Sequence, residues 1–227
     1  MSRSSKSLQR GTTLAELLTV TVVLGFLFSF SVALMAPVVN APNKLQSKVD
    51  TLQSITSGFY RLQRDVRTSD ISGDWACTTS GTITCTQTYS TLTTTPALAV
   101  ITALSSANQF SYNSTTGGST TGLPTWQGVM VYFVATSSSG GSNLARVYVP
   151  FASAIQAPAV PTQVQVQAAV STAVATTSPF VAAPHVGQLL TDFNSAQHVI
   201  GLKLVANGTE NGRTNKTSYE SDTYARN

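Results

Sequence analysis

The sequence predicts an α+β protein in which a long N-terminal α-helix leads into a β-rich head. Three patterns support this prediction. An apolar run near the N-terminus contains a single charge, the stretch after it repeats apolar residues every three or four positions, and several alternating or apolar runs follow in the second half of the chain. The first two patterns are typical of helices and the third is typical of strands.

The apolar run extends from Thr12 to Ala36, and Glu16 is its only charged residue. As a helix it would be about 37 Å long, which exceeds the roughly 30 Å hydrocarbon core of a bilayer. The preceding residues 1–11 carry three basic residues and no acid. This asymmetry predicts a cytoplasmic leader over 1–11, a transmembrane helix over 12–36, and a location outside the cytoplasm for everything after Pro37.

The junction between the leader and the apolar run carries a signal of its own. The leader ends in Gly11, and Glu16 follows five positions later. This arrangement resembles the class III signal of type IV pilins and pseudopilins, with Gly11 at the −1 cleavage position and Glu16 at the fifth mature position; Thr12 stands where that family usually has Phe. The resemblance implies cleavage between Gly11 and Thr12 by a prepilin peptidase. The alternative is a plain signal anchor whose Glu16 lies near the cytoplasmic interface.

Glu16 is expected to take part in assembly. A carboxylate within a membrane helix costs about 2.5–3.5 kcal/mol even on the lenient insertion scale, and such a residue usually has a partner. Cleavage after Gly11 would create an ammonium group on Thr12, one helical turn away. Within one helix the two charges would partly compensate, and between stacked subunits the same pair could fix the axial register.

Residues 37–69 are predicted to form an amphipathic second part of the helix. Pro37 and Pro42 are expected to kink or interrupt it, and a second helical pattern runs from Asn43 to about Ser69. Its apolar stripe consists of Leu45, Val49, Leu52, Ile55, Phe59, Leu62 and Val66, and its polar face of Lys44, Lys48, Asp50, Arg61, Arg64, Asp65 and Arg67. We expect the stripe to pack on the sheet of the same domain, with a coiled coil as the alternative.

Residues 70–227 are predicted to form an exported β-rich head. Cys77 and Cys85 are its only cysteines, and an even pair in an exported segment predicts a short-range disulfide. Two free thiols are the alternative. No further cysteine is available for a metal site, and neither a metal nor a cofactor is expected.

The clearest strand signals form a β-hairpin, Gly128–Thr136 and Leu144–Phe151, around the Ser/Gly-rich loop Ser137–Asn143. Ala97–Leu104 is a further short strand, and Gln109–Tyr112 is a weak one.

The last third of the head gives weaker signals. Gln156–Pro184 is uncharged, and it is interpreted as one strand around Val164, Val166 and Ala168 or as a surface loop. His185–Ala196 is interpreted as a short helical turn with Leu189, Leu190 and Phe193 packed inward. Val199–Val205 alternates as a strand does, and a polar insertion, Asn207–Lys216, precedes a last strand that ends in Tyr224–Asn227.

Parts of the head also resemble W-type minor pilins and J-type pseudopilins. Phe59–Ser69 is similar to the end of their helix, and Tyr132, Leu144 and Arg146 match a central hairpin in which a Tyr-containing strand returns through a Leu-x-Arg strand. The resemblance implies the type IV pilin fold, in which a long N-terminal helix, transmembrane in its first half, packs on an antiparallel sheet.

Charge argues against nucleic acid as a partner. The formal net charge is +4, but three of the 13 Lys and Arg residues belong to the leader, so ten remain against nine Asp and Glu. A near-neutral head does not support nucleic-acid binding. No catalytic constellation rises above background, so no enzyme is expected. A site made of His185, Asp192 and His198 is a remote possibility, and a solvated surface position is the better default.

The expected function is therefore structural: a minor pilin or minor pseudopilin that is incorporated into a type IV pilus or a type II secretion pseudopilus, as a priming or tip component. The resemblance implies a prepilin peptidase, other pilin or pseudopilin subunits, an inner-membrane assembly platform and membrane lipid as partners. The expected location is the inner membrane, with the head outside, and then the filament. Alternatives are an adhesin or DNA-uptake tip protein that binds a ligand through its Ser/Thr-rich head and, more remotely, a membrane-anchored exported enzyme.

Overall fold

The structure is a computed structural model, which describes residues 13–79, 81–87, 91–107, 109–114, 120–137, 141–194, 197–210 and 213–225. These residues form helices α1 (Leu14–Arg67) and α2 (Gln163–Val174), a 3-10 helix (Ile71–Gly73) and eleven strands. The strands are β1 (Trp75–Cys77), β2 (Cys85–Thr86), β3 (Thr93–Thr94), β4 (Ala97–Thr102), β5 (Tyr112–Ser114), β6 (Thr120–Thr136), β7 (Ser142–Gln156), β8 (Phe180–Ala183), β9 (Val186–Asn194), β10 (Val199–Glu210) and β11 (Arg213–Tyr224). The predicted α+β class is confirmed.

Helix α1 continues through both of its prolines, so the expected interruption at Pro37 and Pro42 is wrong. A proline inside a helix costs about 3 kcal/mol, chiefly because it lacks an N–H group and crowds the preceding turn. The chain divides into two compact units, Met1–Val49 and Asp50–Asn227, so the last part of α1 belongs to the unit that contains the strands.

Most of the strands form one antiparallel sheet. Its order is β2-β1-β4-β6-β7-β8, and β5 pairs with β6 beside this path. The predicted central hairpin is confirmed and is longer than expected: β6 and β7 pair from Thr136 and Ser142 back to Thr125 and Gln156, with one register shift. Long pairing of this kind places Tyr132 directly opposite Arg146.

The second antiparallel sheet has the order β11-β10-β9-β3. The helical turn expected over His185–Ala196 is wrong, because Val186–Asn194 forms strand β9 between β10 and β3. Leu189, Thr191 and Phe193 are buried at a spacing of two, as in a strand with one face on the core. The polar insertion expected over Asn207–Lys216 is also wrong in its described part, where β10 and β11 pair as far as Glu210 and Arg213.

Gln163–Val174 is an α-helix, so both alternatives, a strand around Val164, Val166 and Ala168 or a surface loop, are wrong for these residues. A capping box opens α2: the side chain of Thr162 accepts from the Gln165 backbone, and the side chain of Gln165 accepts from the Thr162 backbone. The helix then buries Val166, Ala169, Val170 and Ala173, which are spaced three, one and three residues apart. This is one face of a helix, and it outweighs the short alternation that suggested a strand.

The two helices cover opposite faces of the large sheet. Successive residues of β4 and β6 belong alternately to two buried clusters, as the alternation of side chains in a strand requires. One cluster contains the stripe of α1 and residues of β9 and β10, and the other contains the buried face of α2. Ile55, Phe59, Leu62 and Val66 are buried, which confirms that this stripe packs on the sheets of its own domain.

The predicted stripe does not remain buried over its whole length. Val49 and Leu52 are 57% and 39% exposed, and the side chain of Leu45 lies outside the described residues. The packed part of the stripe begins at Ile55, where the helix meets the core cluster.

Gly58 marks a close approach of α1 to the sheet. A Cβ atom at this position would lie 2.6 Å from Cβ of Ala183 and 2.7 Å from the carbonyl oxygen of Ala182. Both neighbours belong to β8, and one of the two atoms is part of the backbone. The absence of a side chain at Gly58 therefore allows the helix and this edge strand to touch.

Gly58→Ala tests this contact. In an open helix the change would raise stability by about 0.5–1 kcal/mol, because Ala has the higher helix propensity. Here the added methyl group would displace β8, and we expect a net loss of about 1–3 kcal/mol in the free energy of unfolding. Urea denaturation of the full chain in detergent measures the change, with Ser57→Ala at the exposed neighbouring position as the control. A more stable Gly58→Ala protein would contradict the prediction.

Candidate functional site

The N-terminal part of α1 exposes apolar side chains on all sides. Leu14–Met35 is long and apolar enough to cross a membrane, and its most apolar window is not buried within the chain. Leu17, Phe26 and Phe28 are 60%, 80% and 75% exposed. A helix that is apolar all round is stable only where lipid or other protein covers it. This segment is the candidate membrane-spanning helix, where the sequence predicts one.

Glu16 lies in the first turn of α1 and forms a capping box with Thr13. The backbone N–H of Thr13 donates to Oε2 of Glu16 (3.1 Å), and the backbone N–H of Glu16 donates to Oγ1 of Thr13 (3.4 Å). These bonds satisfy two of the N–H groups that a helix leaves unpaired at its start, and the carboxylate lies at the positive end of the helix dipole. Sequence reasoning missed this role of Glu16, although the Thr-x-x-Glu spacing is typical of a capping box.

The predicted processing site, Gly11 and Thr12, lies outside the described residues. The partnership between an ammonium group on Thr12 and the carboxylate of Glu16 therefore stays a prediction. The capping box nevertheless changes how Glu16 must be tested, because any substitution that cannot accept a hydrogen bond also weakens the start of the helix.

Cys77 and Cys85 are joined by a disulfide, as the sequence predicts. They lie directly opposite each other in the antiparallel pair of β1 and β2, and both are buried in the cluster beneath α2. Nε2 of Gln163, in the first turn of α2, donates to the carbonyl oxygen of Cys85 (2.7 Å). The disulfide thus closes the short loop between β1 and β2, and the backbone of Cys85 in β2 contacts the first turn of α2.

A buried ion pair joins α1 to the central hairpin. Asp65 is 3% exposed, and its Oδ2 accepts hydrogen bonds from the hydroxyl of Tyr132 (2.7 Å) and from Nε (3.1 Å) and Nη2 (2.9 Å) of Arg146. Burial, together with the charge of Asp65, raises the pKa of the Tyr132 phenol well above its ordinary value, so the phenol stays a donor. The other carboxylate oxygen, Oδ1, lies 3.6 Å from Nη2 of the exposed Arg64. This distance is too long for a hydrogen bond.

Sequence reasoning placed Asp65 on the polar face of the helix, and this is wrong. Asp65 lies between the buried residues Leu62 and Val66 of the packed stripe, so its carboxylate faces the sheet. The Tyr132–Arg146 pair lies opposite it on the hairpin and supplies three donors. The available signal was the register of the hairpin, which puts Tyr132 and Arg146 side by side, but nothing local identifies Asp65 as their partner.

A second buried carboxyl group links the end of α1 to β4. Asp74 is fully buried; its Oδ1 accepts from the backbone N–H of Ile101 (2.9 Å), and its Oδ2 is hydrogen-bonded to Oγ of Ser69. Ser69 Oγ also lies 2.7 Å from the carbonyl oxygen of Val66. The one proton of the Ser69 hydroxyl therefore has two acceptors within reach, the Asp74 carboxyl and the Val66 carbonyl.

Burial raises the pKa of the Asp74 carboxyl well above its ordinary value; the hydrogen bonds from Ser69 and Ile101 oppose this effect, and the nearby Asp70 carboxylate adds to it. Asp74 therefore holds its proton to a higher pH than an exposed carboxyl group does.

The two histidines lie at opposite ends of β9. His185 is in the turn before the strand and His198 in the turn after it, and nine residues of strand span about 30 Å. They do not form one site with Asp192. Among the residues that the structure describes, no group of three His, Cys, Asp or Glu side chains is placed to hold a metal ion.

Comparisons of the chain with protein-family models, with curated proteins and with solved structures each find no match. What the protein does is therefore inferred from its own residues. Those that carry functional information are the exposed apolar helix with its capped carboxylate, the disulfide-closed loop, and the buried charge that fixes α1 on the head.

Arg146→Ala should be strongly destabilising, because it removes two of the three hydrogen-bond donors of the buried Asp65 carboxylate and leaves only the exposed Arg64, 3.6 Å away, as a counter-ion. Removing one partner of a buried ion pair typically costs about 3–5 kcal/mol. The matched control is Lys203→Ala, since Lys203 pairs at 2.7 Å with a half-exposed Glu220 and such pairs contribute about 0–1 kcal/mol. Urea denaturation measures both losses. Adding Asp65→Asn to Arg146→Ala should recover part of the loss; equal small losses for the two single variants would contradict the prediction.

Asp74 should make the protein less stable as the pH rises. The folded state binds the Asp74 proton more tightly than the unfolded state, whose carboxyl titrates near pH 4. The stabilisation is therefore complete below about pH 4 and is lost as the pH rises toward the folded-state pKa. Asp74→Asn keeps an acceptor for Ile101 and cannot ionise, so its stability relative to wild type should increase between about pH 4 and pH 7. Denaturation curves of wild type and Asp74→Asn at several pH values measure this difference, with the exposed Asp222→Asn as the control. A difference in the free energy of unfolding that does not change with pH would refute the assignment.

Proposed function

We propose that the chain is a structural subunit of a membrane-derived filament, namely a minor pilin of a type IV pilus or a minor pseudopilin of a type II secretion system. The observation that carries the proposal is the exposed apolar helix Leu14–Met35, whose one carboxylate lies in its first turn. Such a helix suits lipid before assembly and the apolar helices of other subunits afterwards. The type IV pilin fold belongs to the same proposal.

Energetics explain why Glu16 matters in this scheme. Moving a Leu or Phe side chain out of water gains about 1.5–3 kcal/mol, but lipid and the helices of a filament core are similarly apolar. The apolar side chains therefore give little preference for one over the other. A carboxylate costs about 2.5–3.5 kcal/mol in the membrane and gains from a positive partner. A Thr12 ammonium in a neighbouring subunit would make the filament the favoured environment for Glu16.

Topology and partners follow from the same proposal. The basic leader places the N-terminus in the cytoplasm, where a prepilin peptidase acts, and the head lies outside. The disulfide between Cys77 and Cys85 suits an exported head. Other partners would be pilin or pseudopilin subunits, the inner-membrane assembly platform and membrane lipid. About 190 residues lie beyond the membrane segment of this 227-residue chain, a bulky head that favours a minor, priming or tip position.

Processing gives the first test. We expect cleavage between Gly11 and Thr12, before the apolar helix, so that the mature chain keeps its anchor and begins at Thr12. Mass spectrometry of the membrane-bound protein reads this terminus directly. A larger residue at Gly11 should block cleavage while membrane insertion continues, because the apolar run is unchanged. A mature chain that begins after the apolar run, near Ala41, would indicate an ordinary signal peptide and would end the proposal.

Two substitutions at Glu16 give the second test. Glu16→Gln keeps an acceptor for the backbone N–H of Thr13, so the capping box survives and only the charge is lost. Glu16→Leu loses both. If the carboxylate pairs with an ammonium group of another subunit, both variants leave that charge uncompensated. Both should then fall by about tenfold or more in filaments, since about 1.4 kcal/mol already corresponds to tenfold.

The measurement is the amount of each variant in sheared filaments relative to the amount in membranes. Leader cleavage should remain normal in both variants, because the peptidase acts before assembly. If Glu16→Gln is incorporated like wild type and only Glu16→Leu is impaired, Glu16 serves the helix start and not the contact between subunits. Normal incorporation of both variants would remove Glu16 from assembly altogether.

A further inference from the structure

A very long part of the head carries almost no charge. From Trp75 to Thr191 the sequence contains one Asp, Glu, Lys or Arg residue, and that residue is Arg146. The guanidinium group of Arg146 is bound by Asp65 and Tyr132 on the buried side of the sheet. The large sheet and α2 therefore present surfaces made of hydroxyl, amide and apolar groups. A ligand recognised there must be recognised without ionic contacts.

Two aromatic rings lie open on this surface. Phe110 and Tyr112 are 43% and 53% exposed, and their rings are nearly parallel, 20° apart, with centroids at 6.1 Å. Parallel rings in full face-to-face contact would lie about 3.5–4 Å apart, so the two rings are offset and each keeps an uncovered face. The exposed Phe180 differs, because the guanidinium group of Arg61 lies 5.3 Å above its ring.

The backbone holds the two rings in place. Phe110 pairs with Leu104 as an isolated bridge, and Tyr112 pairs with Pro124 of β6. Between them, the N–H of Ser111 donates to Ala103 (3.0 Å), and the carbonyl of Ser111 accepts from Thr125 (2.9 Å). Residues two apart in an extended segment point to the same side. The backbone that carries the two rings is thus fixed by pairing, which lowers the part of the entropic cost of binding that comes from the backbone.

We propose that Phe110 and Tyr112 form a binding platform for a neutral polysaccharide built of pyranose rings. A pyranose has a flat face of C–H groups that stacks on an aromatic face, and hydroxyl groups at its edge that bond to uncharged polar groups. The platform occupies an outer surface of the head, and the inference does not depend on the membrane helix or on the filament.

Charge selects this ligand over the other polymers that stack on aromatic rings. Single-stranded nucleic acid uses the same kind of ring platform, but its phosphates require Lys and Arg side chains along the groove. Acidic polysaccharides have the same requirement. The stretch from Trp75 to Thr191 contains no Lys, and its one Arg, Arg146, is bound to Asp65 inside the protein. A neutral sugar polymer matches both the rings and the lack of charge.

The test is binding of the full chain, solubilised in a detergent without a sugar headgroup, to a fixed set of neutral oligosaccharides: cello-, chito-, malto-, manno- and xylo-oligomers. Titration calorimetry should detect binding to at least one of them. Phe110→Ala with Tyr112→Ala should weaken that binding by about tenfold or more, as truncation of aromatic anchors at an interface typically does. Tyr224→Ala, at another exposed tyrosine on β11, should bind like wild type.

A second double variant separates binding from folding. Phe110→Tyr with Tyr112→Phe keeps both ring faces and should retain binding, and all variants should keep the wild-type thermal unfolding midpoint because the two rings are exposed.

Binding to none of the oligosaccharides would overturn the proposal, as would equal binding by the double alanine variant. Tighter binding of oligo-dT than of any sugar would assign the rings to base stacking. A change in oligomeric state in the alanine variant, without sugar binding, would assign them to contact with a second copy of the chain; both results contradict the proposal.

Discussion

The head is organised around one buried charge. The Asp65 carboxylate lies in the packed stripe of α1, and it accepts three hydrogen bonds from Tyr132 and Arg146 on neighbouring strands. An unpaired carboxylate in that position would cost several kcal/mol, so the helix is strongly favoured in the one orientation that gives Asp65 its donors. Apolar packing alone is less selective, since a stripe of Ile, Phe, Leu and Val tolerates small rotations and shifts. The ion pair supplies the orientation that the apolar stripe does not.

Other close contacts depend on that orientation. With Asp65 against the hairpin, Gly58, about two turns earlier, comes close enough to β8 that no side chain fits between them. At the other end, α1 stops at Arg67, and Ser69 lies where its hydroxyl meets Asp74, which binds the backbone of β4. The two buried acids differ in their partners. Asp65 is paired with the guanidinium group of Arg146, whereas Asp74 has no cationic partner among the residues that the structure describes, and burial raises the pKa of its carboxyl.

Elements whose pattern lies in neighbouring residues could be predicted from the sequence, whereas contacts between distant residues could not. The long helix, the β6–β7 hairpin and the disulfide pair are encoded in neighbouring residues, so spacing alone predicts them. Helix α2 was missed because the alternation around Val166 resembles a strand, whereas its capping box, Thr162 with Gln165, is also local and was available. Strand β9 was missed although one of its partners, β10, follows it directly in the chain; its other partner, β3, lies far earlier in the sequence. The partners of Asp65 are equally distant, so its burial is a property of the tertiary fold.

The distribution of charge links the membrane segment and the head. The candidate membrane helix keeps one carboxylate, at its start, and the sequence from Trp75 to Thr191 keeps one guanidinium, which is engaged internally. Where surfaces of this uncharged stretch meet, they neither repel nor steer one another, so contacts made there depend on shape, hydroxyl groups and aromatic rings. Within the apolar core of a filament of such subunits, electrostatic selection would be confined to Glu16 and the terminus next to it. Register in that core would then be set by a single charged position, while the uncharged surface of the head remains available for neutral ligands.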